Sequence, residues 1–269
     1  MFTKNDIIRQ LENMNAPRNS IVMVHTSMRT VGAVEGGAEG LLEAFLEYFT
    51  AEDGLLCVPV HTWRNFGKSD RITLDLTTSE NSLGVFSTVA AADPRCVRSE
   101  NPTHSVAVFG DRARAEAFVR DDAEIVTPTA PESCYGKLYS EGGHVLLVGV
   151  PQTQNTYLHC VGEILNLPNR MAREAMPVTV RRPSGEIVHR ELRLYYTDYM
   201  SNISSRFMKY DTAFRYHGCI TDGFIGNAPT QLCDAVKMKE TVELVYQNAG
   251  GVDPLATERC FPPQWFCPK

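Results

Sequence analysis

His159 and Glu163 are the residues of this sequence whose types and spacing best suit proton transfer. Apolar residues recur at helical intervals over 157–165, and Asn155 or Thr156 can cap the first turn. Four residues apart on a helix, an imidazole and a carboxylate share one face, with Cβ atoms about 5–6 Å apart. The carboxylate would fix the tautomer of the ring, so that a neutral imidazole can act as a general base. The alternative is an ion pair on a solvated helix face.

Three further histidines stand at predicted strand ends. His25 and His61 each end a strand, and His104 stands at the start of another. A zinc site that combines them with His159 is an alternative. No two of them have a short ligand spacing and no acid completes the set, so we expect no metal.

A glycine-containing loop over 27–37 follows the first predicted strand. Gly32, Gly36 and Gly37 let the backbone approach a ligand closely. The loop lacks the Gly-Lys-Ser/Thr of a Walker A motif and does not match G-x-G-x-x-G. It is therefore either a tight turn or a phosphate cradle at a helix start.

Strands alternate with helices over the first two thirds of the chain. This pattern predicts an α/β fold with a mostly parallel sheet covered by helices on both faces. In such sheets ligands bind beyond the carboxyl ends of the strands. The predicted strands are 20–25, 55–60, 105–109 and 145–150, and the main predicted helices are 3–14, 41–49, 83–92, 112–120 and 156–165.

The pattern changes after residue 169. Alternating residues over 178–196, with a glycine-containing turn at 183–186, predict a β-hairpin. A further strand over 220–225 and a helix from 228 or 230 through 239 follow. We therefore expect a β-rich lobe, 172–226, inserted into an α/β core of 1–171 and 227–269.

Charge, apolar content and cysteine spacing limit the classes of partner and the cellular compartment that we expect. With 269 residues and a formal net charge of −6, the chain has no basic run dense enough for a nucleic-acid partner, whereas cationic ligands are compatible with it. No apolar run reaches the 18 or so residues of a membrane span, and the first residues lack a secretory signal, so we expect a cytoplasmic protein without a membrane partner. Eight cysteines without Cys-x-x-Cys spacing indicate reduced packing thiols.

Four segments carry a family resemblance. His-Thr-Ser-Met-Arg-Thr-Val-Gly-Ala-Val-Glu-Gly-Gly at 25–37, Arg-Ser-Glu-Asn-Pro-Thr-His-Ser at 98–105, Gly-Val at 149–150 and Asn-Thr-Tyr-Leu-His at 155–159 resemble the successive signatures of the aminoglycoside N3-acetyltransferase family. The resemblance covers roughly 20–240. It implies an enzyme that moves acetyl from acetyl-CoA to the 3-amino group of the 2-deoxystreptamine ring of an aminoglycoside.

The resemblance also implies site residues. The general base maps onto His159, and the family usually has a carboxylate three residues later, where this chain has Gly162 and places its acid at Glu163. The cofactor-binding residues that the resemblance implies are Ser27, Met28, Arg29, Thr30, Val31, Gly32, Val34, His104 and Ser105.

The acceptor side is predicted from a long polar segment after the second strand. A cationic amine needs carboxylates, and the candidates are Asp70 and Asp75, with Trp63, in this segment and Asp222 in the β-rich lobe. Solvated loop charges are the alternative for each acid. Other functions stay open: a family member acting on a non-aminoglycoside amine, acyl transfer through a cysteine thioester, or a non-catalytic CoA- or aminoglycoside-binding protein. A homodimer is compatible with the sequence.

Overall fold

The computed structural model describes residues 1–68 and 71–267, and its strands form two sheets. Seven strands make the larger sheet, in the order β4-β5-β2-β1-β6-β10-β9, and three make the smaller, in the order β3-β7-β8. The strands are β1 (Ile21–Thr26), β2 (Leu55–Pro59), β3 (Leu74–Asp75), β4 (Val97–Arg98), β5 (Val106–Phe109), β6 (His144–Val148), β7 (Met176–Arg181), β8 (Ile187–Leu192), β9 (Ile220–Ile225) and β10 (Ala228–Asp234).

The larger sheet is parallel only at its centre. β1 pairs parallel with β2 and with β6, whereas the pairings β2–β5, β5–β4, β6–β10 and β10–β9 are antiparallel. The predicted α/β class is confirmed, but the sheet is mixed rather than mostly parallel. Short connections account for the antiparallel pairs β4–β5 and β9–β10, whereas β2–β5 and β6–β10 are antiparallel although long segments of chain separate them.

Helices cover both faces of this sheet, as predicted. The first, α1, is held at its start by a capping box in which the Thr3 hydroxyl accepts from the Asp6 N–H and the Asp6 carboxylate accepts from the Thr3 N–H. The helices are α1 (Lys4–Asn13), α2 (Met28–Val31), α3 (Gly37–Phe49), α4 (Val85–Ala92), α5 (Arg112–Val119), α6 (Cys134–Ser140), α7 (Tyr157–Ile164), α8 (Asp211–Tyr216) and α9 (Ala235–Asn248).

Two apolar clusters form the core, one on each face. Along β1, Val22 and Val24 pack toward α1, α3 and α4, while Ile21 and Met23 pack toward α5 to α9. This alternation follows from the two-residue period of a strand, which sends successive side chains to opposite faces. A strand buried on both faces therefore reads as a continuous apolar run in the sequence.

The smaller sheet contains the predicted hairpin, β7 and β8. It is docked on the segment before β5 and after α5, because Arg182 forms an ion pair with Glu100 at 2.9 Å and the Arg190 guanidinium donates to three carbonyl oxygens there. Of the segment 172–226, only this hairpin joins the smaller sheet. The strand at Ile220–Ile225 pairs with β10 in the larger one, and the proposed division into core and lobe stays a prediction.

The helix predicted from 228 or 230 through 239 is wrong in its first half. Ala228–Asp234 is β10, which pairs antiparallel with β6 on one side and β9 on the other, and the helix begins only at Ala235. A two-residue turn joins β9 to β10, with Gly226 at φ +59°. Glycine in the first position of a two-residue turn is typical of a β-hairpin.

None of the helices described over 1–68 and 71–267 is long and apolar enough to cross a membrane.

Candidate active site

The sheet brings four histidines to one of its edges. β1 and β2 run parallel and end near His25 and His61, while β5 runs antiparallel to β2, so that its start, beside His104, lies at the same edge. His159 reaches this edge from α7, which follows β6. All four side chains line one cavity of about 610 Å³. The connectivity alone thus assembles residues that are 134 positions apart in the chain, from 25 to 159.

His159 is enclosed by aromatic rings. Its ring stacks on Tyr195, with centroids 3.9 Å apart and planes 12° from parallel, and Phe207 contacts it edge-on at 4.9 Å. Burial lowers the pKa of His159 well below its ordinary value, and the neighbouring His104 and Arg170 lower it further. The imidazole is therefore neutral at pH 7, the form that accepts a proton.

The predicted contact between His159 and Glu163 is not formed in the described structure. The Glu163 carboxylate instead accepts from the Thr127 hydroxyl, from the Thr129 hydroxyl at 2.6 Å and from the Thr129 N–H at 3.2 Å. Helical spacing places the two Cβ atoms near each other. The carboxylate nevertheless binds two hydroxyls from the segment before α6 rather than the imidazole. Burial raises the pKa of Glu163, and these hydrogen bonds oppose that rise.

The other three histidines are also held neutral. His61 and His104 lie with ring centroids 4.4 Å apart, and His61 Nε2 is 2.7 Å from the Tyr135 hydroxyl. Burial lowers the pKa of His25 to about 4 and that of His104 to about 3. Burial and the neighbouring histidines lower the pKa of His61 as well. Nevertheless, among the residues described, no group of three or more His, Cys, Asp or Glu side chains is arranged to hold a metal ion.

The predicted cofactor-binding residues of the 27–34 loop differ in burial, since some lie in the core and others at the surface. Val31 and Val34 are buried in the core, whereas Arg29 and Thr30 are exposed. Thr30 lines a cavity of about 540 Å³ together with Gly149 and Val150. Ser27, Met28 and Gly32 are half-buried, and Gly32 has φ +84°, which explains a glycine there.

Of the predicted pair His104 and Ser105, only His104 has a side chain that lines a cavity. The His104 ring lines the large cavity, and its Nδ1 is 2.9 Å from the Thr103 hydroxyl. The Ser105 side chain is fully buried, and its hydroxyl donates to the Ser99 carbonyl at 2.7 Å. Ser105 therefore holds the chain before β5 in place, and its buried side chain does not line the large cavity.

A third cavity of about 410 Å³ neighbours both of these cavities. It shares His25, Leu83 and Gln154 with the large cavity and Val150 with the cavity beside Thr30. Arg64 and Ser87 also line it. The shared residues make the three cavities neighbours, from the one that His159 lines to the one that Thr30 lines.

The predicted acceptor residues are not brought together. Trp63 lines the large cavity and is 44 % exposed. Asp75 instead binds Arg181 at 3.3 Å, and Asp222 pairs with Arg215 at 2.5 Å beside the cavity next to Thr30. Asp70 lies outside the described residues. Among the residues described, no carboxylate lines the large cavity.

The sequence did not point to Tyr195, which follows the hairpin and reaches the site through tertiary packing.

Five of the eight cysteines are buried, as the packing thiols predicted from the sequence would be, whereas Cys96 and Cys267 are half-buried and Cys260 is exposed. All eight are free, and burial raises the pKa of Cys57, Cys134 and Cys160. A thiol held in this way is a poor nucleophile, which speaks against acyl transfer through Cys160.

The mixed sheet with its covering helices is the fold of an acetyltransferase class known from solved structures. A histidine-to-alanine mutant of the aminoglycoside acetyltransferase AAC(3)-IVa, in complex with a gentamicin, superposes with a TM-score of 0.76 at 25 % identity, covering 98 % of this chain and 93 % of that one. The chain belongs to the aminoglycoside 3-N-acetyltransferase family, whose model matches residues 23–247. Membership of this family confirms the prediction of an acetyl-CoA-dependent acyltransferase.

Curated relatives agree with this assignment. Aminoglycoside N(3)-acetyltransferase IV of Salmonella sp is 28 % identical over 233 residues, which cover 86 % of this chain and 82 % of the relative. Aminoglycoside N(3)-acetyltransferase VIII of Streptomyces fradiae is 28 % identical over 207 residues, which cover 71 % and 70 %.

Proposed function

We propose that this protein transfers acetyl from acetyl-CoA directly to the 3-amino group of the 2-deoxystreptamine ring of an aminoglycoside, with His159 as general base. One observation carries the proposal: a neutral, enclosed imidazole lines the large cavity of a chain that has this family's fold. The gentamicin complex of the related AAC(3)-IVa mutant supports an aminoglycoside acceptor.

The residues present fit a long acyl donor. Three neighbouring cavities lie between His159 and Thr30, and at Gly149 the backbone comes so close to Thr30 that an added Cβ would lie 2.6 Å from the Thr30 Cβ. Acetyl-CoA supplies an electrophilic thioester carbonyl. In this proposal that carbonyl lies between His159 and the first turn of α2, and the remainder of the donor extends toward Thr30.

The loop is proposed to donate to the oxygen of the reacting carbonyl. Its N–H groups at Ser27, Thr30, Val31 and Gly32 are bonded to carbonyl oxygens of the loop or of β6. We therefore assign this donation to the N–H groups of Met28 and Arg29, because these stand in the first turn of α2, where helical N–H groups lack a partner within the helix.

His159 takes the proton as the amine attacks. An imidazole with so low a pKa cannot strip an ammonium ion at equilibrium, so the amine must arrive neutral and lose its proton during attack. The amine nitrogen forms the amide bond, the carbon–sulfur bond breaks, and the electron pair leaves with the thiolate. The proton moves to His159 Nδ1 or Nε2 and then to the thiolate or solvent, so charge and atoms balance.

The first test is His159→Ala. A general base contributes about 10²–10⁴-fold, so we expect turnover to fall by at least about a hundredfold in a thiol-release assay. His189→Ala, on the exposed face of β8, is the matched control and should keep full turnover. If His159→Ala keeps more than about a hundredth of wild-type turnover while melting normally, His159 is not the base.

A second candidate acceptor is an amine with fewer charges than an aminoglycoside, because no carboxylate among the described residues lines the large cavity. The thiol-release assay should therefore include a panel of amines that runs from monoamines to aminoglycosides. Highest kcat/KM for an aminoglycoside supports the proposal, and preference for a monoamine supports the second candidate. Tight binding without thiol release from any amine would indicate a non-catalytic binding protein.

A further inference from the structure

We propose that Tyr195 is a positioning residue that holds the His159 ring by its aromatic face and stabilises the protonated form of that ring as the amine loses its proton. This inference rests on the proposed function, since it assigns the partner of the proposed base. It replaces the direct carboxylate contact that the sequence predicts and the structure does not form.

The geometry is that of a ring stacked on a ring. The two centroids are 3.9 Å apart and the planes are nearly parallel, while Phe207 closes another side of the imidazole edge-on. A cation within about 6 Å of an aromatic face is attracted by the negative charge density of that face. His159 carries this charge only after it has accepted a proton, so the attraction grows as the reaction proceeds and favours the transition state over the ground state.

The hydrogen bonds that link the Tyr195 hydroxyl to Glu163 through Thr129 increase the negative charge density on the face of the Tyr195 ring. The Thr129 hydroxyl has one proton, and with Glu163 ionised that proton is donated to the carboxylate at 2.6 Å. Thr129 Oγ1 is also 2.6 Å from the Tyr195 hydroxyl, so the tyrosine must be the donor in that bond. Donation toward a carboxylate shifts electron density onto the phenol ring. Glu163 thus acts on His159 through Thr129 and Tyr195.

Several charged or titratable groups surround the imidazole, and each of them bears on its protonation. The neighbouring His104 and Arg170 disfavour its protonation, and burial does so more strongly. The titratable or charged residues that act on His159 or share its cavity wall are Arg170, His104, His61, His25 and Tyr195. Glu163, one turn further along α7, is the nearby anion of this helix, and its carboxylate binds Thr127 and Thr129 rather than the imidazole.

The test compares three variants. Tyr195→Phe keeps the face and loses the hydroxyl, Tyr195→Leu keeps apolar bulk and loses the face, and Tyr216→Leu removes an exposed tyrosine elsewhere as a control. We expect Tyr195→Leu to lower kcat by about 2- to 30-fold with the KM for acetyl-CoA unchanged. Tyr195→Phe should lose clearly less, and the control nothing. Equal losses in the Phe and Leu variants would overturn the inference.

A second readout needs no turnover. NMR titration of labelled histidine in the protein without substrate should show a lower pKa for His159 in Tyr195→Leu than in Tyr195→Phe, by about 0.4–1.5 units. An unchanged or raised pKa in the Leu variant contradicts the inference. If Tyr195→Leu does not fold, Tyr195→Met, which fills irregular space without an aromatic face, replaces it. If His159→Ala is fully active, the proposed function fails, yet this titration still tests the stacking.

Discussion

At the scale of single residues, the position of Glu163 decides how far its charge can act. The carboxylate is held by Thr127 and Thr129 and reaches His159 only through the Tyr195 ring. We expect Glu163→Gln, which removes the charge and can still accept from the threonines, to lower kcat by less than about tenfold, because an indirect charge is weakened by distance and by the effective dielectric of the protein.

The measurement is kcat in the thiol-release assay, with Glu191→Gln on the exposed side of β8 as the matched control. A loss as large as that of His159→Ala would contradict the indirect arrangement, since it would require the carboxylate to bind the imidazole during the reaction.

At the scale of elements, the junction between β6 and α2 is a point where the backbone leaves no room for a side chain. Gly149 has φ +65°, and an added Cβ would lie 2.6 Å from the Thr30 Cβ. Gly142 has a similar φ of +69° with nothing within 4 Å, which makes it a matched control. We expect Gly142→Ala to cost about 1–2 kcal/mol of unfolding free energy for its left-handed backbone alone.

Gly149→Ala should cost about 1–3 kcal/mol more, because the clash with Thr30 adds to the backbone strain. It should also raise the KM for acetyl-CoA by displacing the 27–34 loop. Denaturant unfolding and steady-state kinetics measure both effects. Equal stability losses in the two variants would show that Thr30 moves aside without cost.

The elements also show what the sequence can predict. The helix carrying His159, the buried strands β1, β2 and β6 and the hairpin all follow from local periodicity. The meeting of His25 and His61 follows from the rule that parallel strands end at one edge. His104 joins them because β5 runs antiparallel to β2, which the predicted, mostly parallel sheet did not include. In contrast, β10 was missed because its pairing with β6 and β9 overrides a pattern compatible with a helix. Its signal was the Gly226-Asn227 turn.

Side-chain partners across long sequence separations could not be predicted. Glu163 accepts hydrogen bonds from the hydroxyls of Thr127 and Thr129, which lie 36 and 34 residues earlier in the chain. Tyr195 is separated from His159 in the chain by the β7–β8 hairpin. Nothing local distinguishes these partners from other threonines and tyrosines. The burial of Val31, Val34 and Ser105 could not be predicted either, because a family signature marks a position in the chain and not the direction in which its side chain points.

At the scale of the whole molecule, the buried histidines predict acid sensitivity. The folded-state pKa values of His25 and His104, about 4 and about 3, lie below the value of about 6.5 in an unfolded chain. Between these limits the unfolded chain binds protons that the folded chain does not, so stability falls as the pH falls below about 6.5, by about 1.4 kcal/mol per pH unit for each histidine. Asp122 and Glu163, whose pKa values burial raises, oppose part of this loss at lower pH.

Urea unfolding from about pH 7 to about pH 5 measures this slope. His25→Asn should flatten it, whereas the exposed His189→Asn should not. A free energy of unfolding that stays constant over this range would show that water enters the cavity and solvates these rings.

The burial of the cysteines has a practical consequence for every kinetic test above. Cys260 is exposed and Cys96 and Cys267 are half-buried, while the other five sulfurs lie in the interior. A disulfide dye that reports released CoA by its colour reacts with thiolates, so the interior sulfurs will add little background while the chain is folded. The same dye will gain signal abruptly on denaturation, which makes colour development without amine a direct check that each variant has kept its native packing.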